Sequence, residues 1–82
     1  MSTEDYNKLA DIIGQVTGVD KLEINENYNL IEAGVTSITF IKLIIAIENV
    51  FLFEFKDEDL DIFKLQTVKN LIEYIDINRK NE

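Results

Sequence analysis

The segment SITFIKLIIAIENVF, from Ser37 to Phe51, restricts the fold more than any other part of this 82-residue chain. It holds neither Gly nor Pro and reads as a helix that other amphipathic segments must cover. Projected at about 100° per residue, Phe40, Leu43, Ile44, Ile47, Val50 and Phe51 share one broad side, the expected core face. A second apolar stripe, Ile38, Ile41 and Ile45, lies well off that side, on the flank of Ser37 and Glu48. In so small a protein the helix can be buried all round. Alternatively the stripe stays exposed beside Ser37 and forms a docking surface.

Before the helix, NLIEAGVT reads as a loop that turns at Gly34 and brings Thr36 and Ser37 to the helix mouth. A helix entrance has unpaired backbone N–H groups and a partial positive charge, and so suits a phosphate. Ser37 therefore has two readings: a capping residue, or the acceptor of a phosphate-linked modification.

The other helices follow from the same periodicity. Residues 3–17 form a first helix, capped by Ser2 or Thr3, with Glu4 and Asp5 in its first turn and Gly18 as its stop. Tyr6, Leu9, Ala10, Ile12, Ile13 and Val16 share its apolar side, and Gly14 on the polar side weakens it by roughly 1 kcal/mol. Val19 to Val35 is a long connection, expected to be pinned to the core by Leu22, Ile24, Tyr28, Leu30 and Ile31. In FLFEFK, Phe53 and Phe55 alternate with Leu52 and Glu54 and should tuck inward. Asp57 to Leu60 reads as one short helical turn. Thr67 caps a last helix to about Ile77, with Val68, Leu71, Ile72 and Ile75 buried, and the tail NRKNE is expected to fray. The expected fold is all-α: a small four-helix bundle of three longer helices and one short one, with a long loop between helices 1 and 2, in one domain spanning residues 1–82.

Composition narrows the chemistry. The chain has no Cys and no His, hence no thiolate and none of the usual transition-metal ligands. The acidic run DEDLD fails as a calcium loop, because with Asp57 first the sixth position is Ile62 instead of Gly and the twelfth is Val68 instead of Glu. Ser37 has no His to act as its base, and no nucleotide-binding glycine pattern occurs, so the chain is not expected to be an enzyme. With 16 acidic and 8 basic residues the formal charge is −8, which disfavours nucleic acid and anionic membranes. No leader or membrane-length apolar run is present, and a cytoplasmic monomer is expected.

At GVTSI, then FIKLIIAIENVF, FEFKDEDL and TVKNLIEYI, the chain resembles the acyl carrier and peptidyl carrier protein family along essentially its whole length. The family's short signature is a glycine, two residues, and the serine that receives 4′-phosphopantetheine, matched here by Gly34 and Ser37. The resemblance implies that Ser37 is the attachment site, flanked by Gly34 and Thr36, and that a phosphopantetheinyl transferase modifies it from coenzyme A. It implies that Ile38, Ile41 and Ile45 are apolar contacts, with Thr39, Lys42 and Glu48 beside them and Asp57, Glu58 and Asp59 as secondary contacts. The partners would be acyl- or aminoacyl-loading and condensing enzymes, and the arm's thiol would carry the cargo as a thioester. Thr36 stands where fatty-acid carriers commonly have Asp, Thr39 and Lys42 replace residues often acidic, and Leu52 replaces a glycine that commonly ends the second helix. These departures suggest a discrete carrier for a nonribosomal peptide, polyketide or aminoacyl-activation pathway, with fatty-acid synthesis as the alternative within the family. Outside it, the alternative is a helical adaptor without a prosthetic group, gripping a partner helix with the same isoleucines.

Overall fold

The computed structural model describes residues 1–79. Three α-helices, α1 (Thr3–Thr17), α2 (Ser37–Phe51) and α3 (Val68–Arg79), alternate with two single 3-10 turns, Lys21–Glu23 and Asp57–Asp59. The first two helices have the boundaries expected from the sequence. Ser2 caps α1, its hydroxyl accepting the Asp5 N–H at 3.1 Å, and Gly18 ends it at φ 80°. Gly14 has a use its polar position did not suggest: a Cβ there would lie 3.1 Å from the Val19 carbonyl oxygen, where the chain folds back after Gly18.

One core joins the three helices. Leu9 and Ile13 of α1, Leu43 and Ile47 of α2, and Leu71 and Ile75 of α3 are all fully buried. No polar or charged residue is buried among the described residues, so burial of apolar surface carries the fold. Ile24 and Leu30 pin the long connection as expected, with Tyr28 and Ile31 half-buried. Leu22, expected to be a third anchor, is instead 92% exposed. It lies inside the 3-10 turn, where the Asp20 carboxylate accepts its N–H, and that turn directs its side chain outward. Val50, assigned to the core face of α2, sits at the edge of that face and is also exposed.

The long connection is stitched to the start of α3. Leu30 N–H donates to the Gln66 carbonyl, and the Val68 and Lys69 N–H groups donate to the Tyr28 and Glu26 carbonyls. Thr67 and Asn70 cap each other reciprocally, each backbone N–H donating to the other's side chain. The first turn of α3 is thus satisfied by the protein itself.

The expected fourth helix is only the three-residue turn Asp57–Asp59. The run DEDLD offers no apolar spacing that would reward a longer helix. Asp61 also diverts the chain, its carboxylate accepting the Phe63 N–H at 2.8 Å. Phe55 is buried and Phe53 half-buried, and the Phe55 and Tyr74 rings stack at 4.7 Å. The Tyr74 hydroxyl accepts the Lys56 N–H at 3.0 Å and donates to the Asp59 carboxylate at 2.8 Å, fixing the acidic turn against α3. Burial holds this hydroxyl above its ordinary value of 10.0; the charges of Asp59 and Glu58 add to the rise, and the Lys56 N–H opposes it. A phenol pKa raised by folding contributes stability below the ordinary value and loses it as pH rises through the folded one. Because it removes the hydroxyl's hydrogen bonds to the Lys56 N–H and the Asp59 carboxylate, Tyr74→Phe should cost about 1 kcal/mol at neutral pH. The gap between the variant and the parent should narrow in strongly alkaline urea titrations.

Part of the polar tail departs from its expected fraying. Asn78 and Arg79 belong to α3: Asn78 donates to the Tyr74 carbonyl, and Arg79 reaches the Asp5 carboxylate at 3.0 Å while its guanidinium lies 5.3 Å from the Phe51 ring centre. The remaining tail positions, Lys80, Asn81 and Glu82, lie outside the described residues.

Leu52 ends α2 in the left-handed region, at φ 57° and ψ 53°, and is the one non-glycine residue with positive φ among the described residues. For a leucine this conformation costs on the order of 1 kcal/mol. The helix boundary therefore holds without the glycine that usually makes such an ending cheap.

Candidate functional site

The approach to α2 is a tight turn anchored on Leu30, which is fully buried. Asn29 organises it, its carbonyl accepting the Ala33 N–H and its side chain the Glu32 N–H, both at 3.0 Å. Gly34 then takes φ 87°, and a Cβ built on it would meet nothing within 4 Å. The requirement for glycine here is one of backbone conformation, not of space.

Thr36, the next expected site residue, is the cap of α2. Its Oγ1 accepts the Thr39 N–H and donates to Thr39 Oγ1, both at 3.2 Å, and its carbonyl accepts the Phe40 N–H at 2.8 Å. The capping reading of Ser37 is thereby displaced by one residue. Ser37 is the first residue inside the helix; it is exposed, and its hydroxyl makes no hydrogen bond among the described residues. The Ser37 and Ile38 N–H groups likewise find no protein acceptor there. No acid lies in the first turn of α2, whereas α1 has Glu4 and Asp5 in its own.

An open cleft of about 470 Å³ adjoins Ser37, between Phe40 and Ile41 of α2 and a wall made by Glu58, Leu60, Asp61, Ile62 and Phe63. Sequence reasoning gave residues 61–63 no part in the site. The signal available was Phe63 itself, a large aromatic outside any helical stripe, which proves to be 73% exposed.

The expected contact residues separate into distinct groups. Ile38, Ile41 and Ile45 are exposed by 72, 47 and 51%, so α2 is not buried all round. Lys42 is exposed on the same helix, and Thr39, half-buried, is tied to Thr36. Glu48 is less available: its carboxylate accepts the Phe55 N–H at 2.8 Å and holds the chain that leaves the helix. Asp57 and Glu58 are exposed, and only Glu58 reaches the Ser37 cleft. Asp59 lies on the Tyr74 side, facing a different hollow lined by Lys64, Asn70 and Ile77. No cluster of three or more acidic side chains suited to a metal occurs among the described residues. No helix among them is long and apolar enough to cross a membrane.

The geometry is therefore an unengaged primary hydroxyl beside free N–H groups and an open cleft. It has the features needed by a serine esterified to a phosphate: access, no competing hydrogen bond, and donors for the anionic oxygens. Comparison with known proteins gives the family. The family model described as "Phosphopantetheine attachment site" matches residues 7–75. The chain is 42% identical over 76 residues to an acyl carrier protein of Chlamydia felis, covering 92% of each. It is 36% identical to one of Lactobacillus johnsonii, covering 88% of this chain and 89% of the relative, and 34% identical to one of Syntrophobacter fumaroxidans, covering 88% of each. The prosthetic group implied is a covalently bound 4′-phosphopantetheine, and the role is that of an acyl carrier, which has no catalytic activity of its own. By its match over most of its length and by its relatives, the chain belongs to the family of phosphopantetheine-attachment carrier proteins.

Proposed function

We propose that Ser37 is the residue that receives 4′-phosphopantetheine, with residues 1–82 acting as one cytoplasmic, monomeric carrier domain. The observation that carries this reading is the division of labour at the helix mouth. Thr36 takes over the capping, so the Ser37 hydroxyl is exposed and uncommitted. A transferase using coenzyme A would form the phosphodiester at Ser37 Oγ. The Ser37 and Ile38 N–H groups would face the phosphate, and Gly34 would set the angle at which the chain enters α2. The arm, once attached, supplies a terminal thiol on which cargo is held as a thioester. The chain's own contribution is to display Ser37 at the end of an apolar helix face, where loading and condensing enzymes can reach both.

The cargo is an acyl or aminoacyl group in a nonribosomal peptide, polyketide or related biosynthetic pathway. This is supported by Thr36, Thr39 and Lys42, which leave the first half of α2 without the acidic side chains often found there in fatty-acid carriers. Incubation with coenzyme A and a broad-specificity transferase, followed by intact-mass measurement, tests the carrier function. One added phosphopantetheine supports it, and no addition under several transferases would favour an adaptor. Capture of the native acyl group from the host discriminates the pathways; a simple saturated fatty acyl chain would favour fatty-acid synthesis.

The isoleucine stripe gives a further expected result. Ile45→Asp should weaken loading by partner enzymes about tenfold or more, because it buries an unpaired charge at the contact. Thermal unfolding should shift little, since Ile45 is half-exposed. A collapse in stability with no separate loss of binding would place Ile45 in the core.

A further inference from the structure

The wall of the Ser37 cleft is a strap, held firmly at its ends and little between them. Phe55 and Leu65 are buried, whereas no residue from 56 to 64 is. The Asp59, Leu60, Asp61, Lys64 and Leu65 N–H groups donate to carbonyls of the strap itself, and the Phe63 N–H donates to the Asp61 carboxylate. No residue from 56 to 65 forms an ion pair among the described residues. One side chain of another element bonds to the strap: Tyr74 of α3. Its hydroxyl accepts the Lys56 N–H at 3.0 Å and donates to the Asp59 carboxylate at 2.8 Å.

Open space lies on both faces of the strap. Towards α2 is the cleft of about 470 Å³, which Ile41 shares with Leu60, Ile62 and Phe63. Towards α3 is the hollow of about 310 Å³ lined by Asp59, Lys64, Tyr74 and Ile77. Ile41 and Phe63 stay 47% and 73% exposed at the cleft. Burying such side chains against each other is favourable, so the apolar rims favour a narrower cleft. The hydrogen bond from Tyr74 to a carboxylate is charge-assisted and acts the other way, drawing the acidic turn towards α3. The two effects are of the same order, so one hydroxyl decides where the strap rests.

We propose that the Tyr74 hydroxyl is a latch that holds residues 56–64 back against α3 and keeps the Ser37 cleft open, and that on its release the strap closes over the mouth of α2. Tyr74 lines the other hollow and not the cleft, so it acts on Ser37 through the strap, as a positioning residue. The strap stands independently of the carrier reading of Ser37. Its consequence, that modification is faster with the latch engaged, rests on that reading.

Because the chain has no Cys, Ser37→Cys places a single reporter thiol at the cleft. Its alkylation by iodoacetamide reads access to that position in the full chain without a transferase. Tyr74→Phe, added to it, keeps the ring that stacks on Phe55 and removes the hydroxyl alone. Alkylation should slow about fivefold, the size of shift expected from losing one charge-assisted hydrogen bond. Asp59→Ala should slow it comparably. Glu73→Ala is the control, since Glu73 lines the same hollow without bonding to the strap, and it should change nothing. Nuclear Overhauser contacts between the Phe63 ring and the Ile41 methyls should strengthen in the two latch variants. A merely structural loss would instead loosen the chain and speed alkylation. Unchanged or faster alkylation in Tyr74→Phe and Asp59→Ala would overturn the proposal, as would equal slowing by Glu73→Ala. With Ser37 restored, uptake of phosphopantetheine should slow in the same two variants, and an undiminished rate would overturn the link to modification. Failure of the parent chain to take up any mass would overturn the carrier reading and leave the alkylation result standing.

Discussion

Leu43→Ala should destabilise the protein by about 3 kcal/mol, the usual cost of removing a fully buried leucine and leaving a cavity. Leu43 has no exposed surface and belongs to the same core as Leu9 and Ile13 of α1 and Leu71 and Ile75 of α3. A chain of 82 residues has roughly 4–12 kcal/mol to lose, so this one truncation removes a large share. Urea unfolding followed by circular dichroism should show a lower midpoint with an unchanged slope. The comparison with Ile45→Asp is informative because both residues lie on α2 and only one faces the core. Leu43→Ala should damage stability first and loading only as a consequence; Ile45→Asp should do the reverse.

Ser37→Ala should abolish modification and leave the fold untouched. The reason is local. The Ser37 hydroxyl makes no hydrogen bond among the described residues, the cap belongs to Thr36, and Ala is at least as good a helix former as Ser. The expected change in stability is within about 0.5 kcal/mol, while uptake of mass from coenzyme A falls to zero. Thr36→Ala is the useful companion. It removes the cap at a cost of about 1 kcal/mol but keeps the acceptor, so modification should persist at a reduced rate. If Thr36→Ala abolished uptake and Ser37→Ala did not, the assignment of the acceptor would be wrong by one residue.

The helices were legible in the sequence because strong apolar periodicity and specific end signals agree. Ser2 and Gly18 bound α1, and the Ser37–Phe51 stripe defines α2 without help from tertiary structure. The proposal of Ser37 as the acceptor starts, in the sequence, from the spacing of Gly34 and Ser37. Which residue capped the helix was not legible, since Thr36 and Ser37 are both good caps and only the backbone geometry chooses between them. The short helical turn expected from Asp57 is present as the 3-10 turn Asp57–Asp59, but its standing as a fourth helix was not legible, because helical spacing says little over three or four residues. There the Asp61 and Tyr74 hydrogen bonds decide the path. Leu22 and Val50 were misplaced for a related reason: a turn, or the edge of a helix face, sets exposure independently of hydrophobicity. The wall of the cleft at Leu60 to Phe63 comes from a segment without period, and its place beside Ser37 arises from tertiary folding alone. The engagement of Glu48 by Phe55 is similarly invisible in sequence, although it changes what α2 offers to a partner.

The assignment of one serine as the point of attachment is tested most directly by peptide-level mass spectrometry of the parent chain after reaction with coenzyme A and a transferase. The account predicts a single phosphopantetheine, released from a fragment containing Ser37 and from no other. An adduct mapped to Ser2 or to a threonine, with Ser37 unmodified, would contradict it.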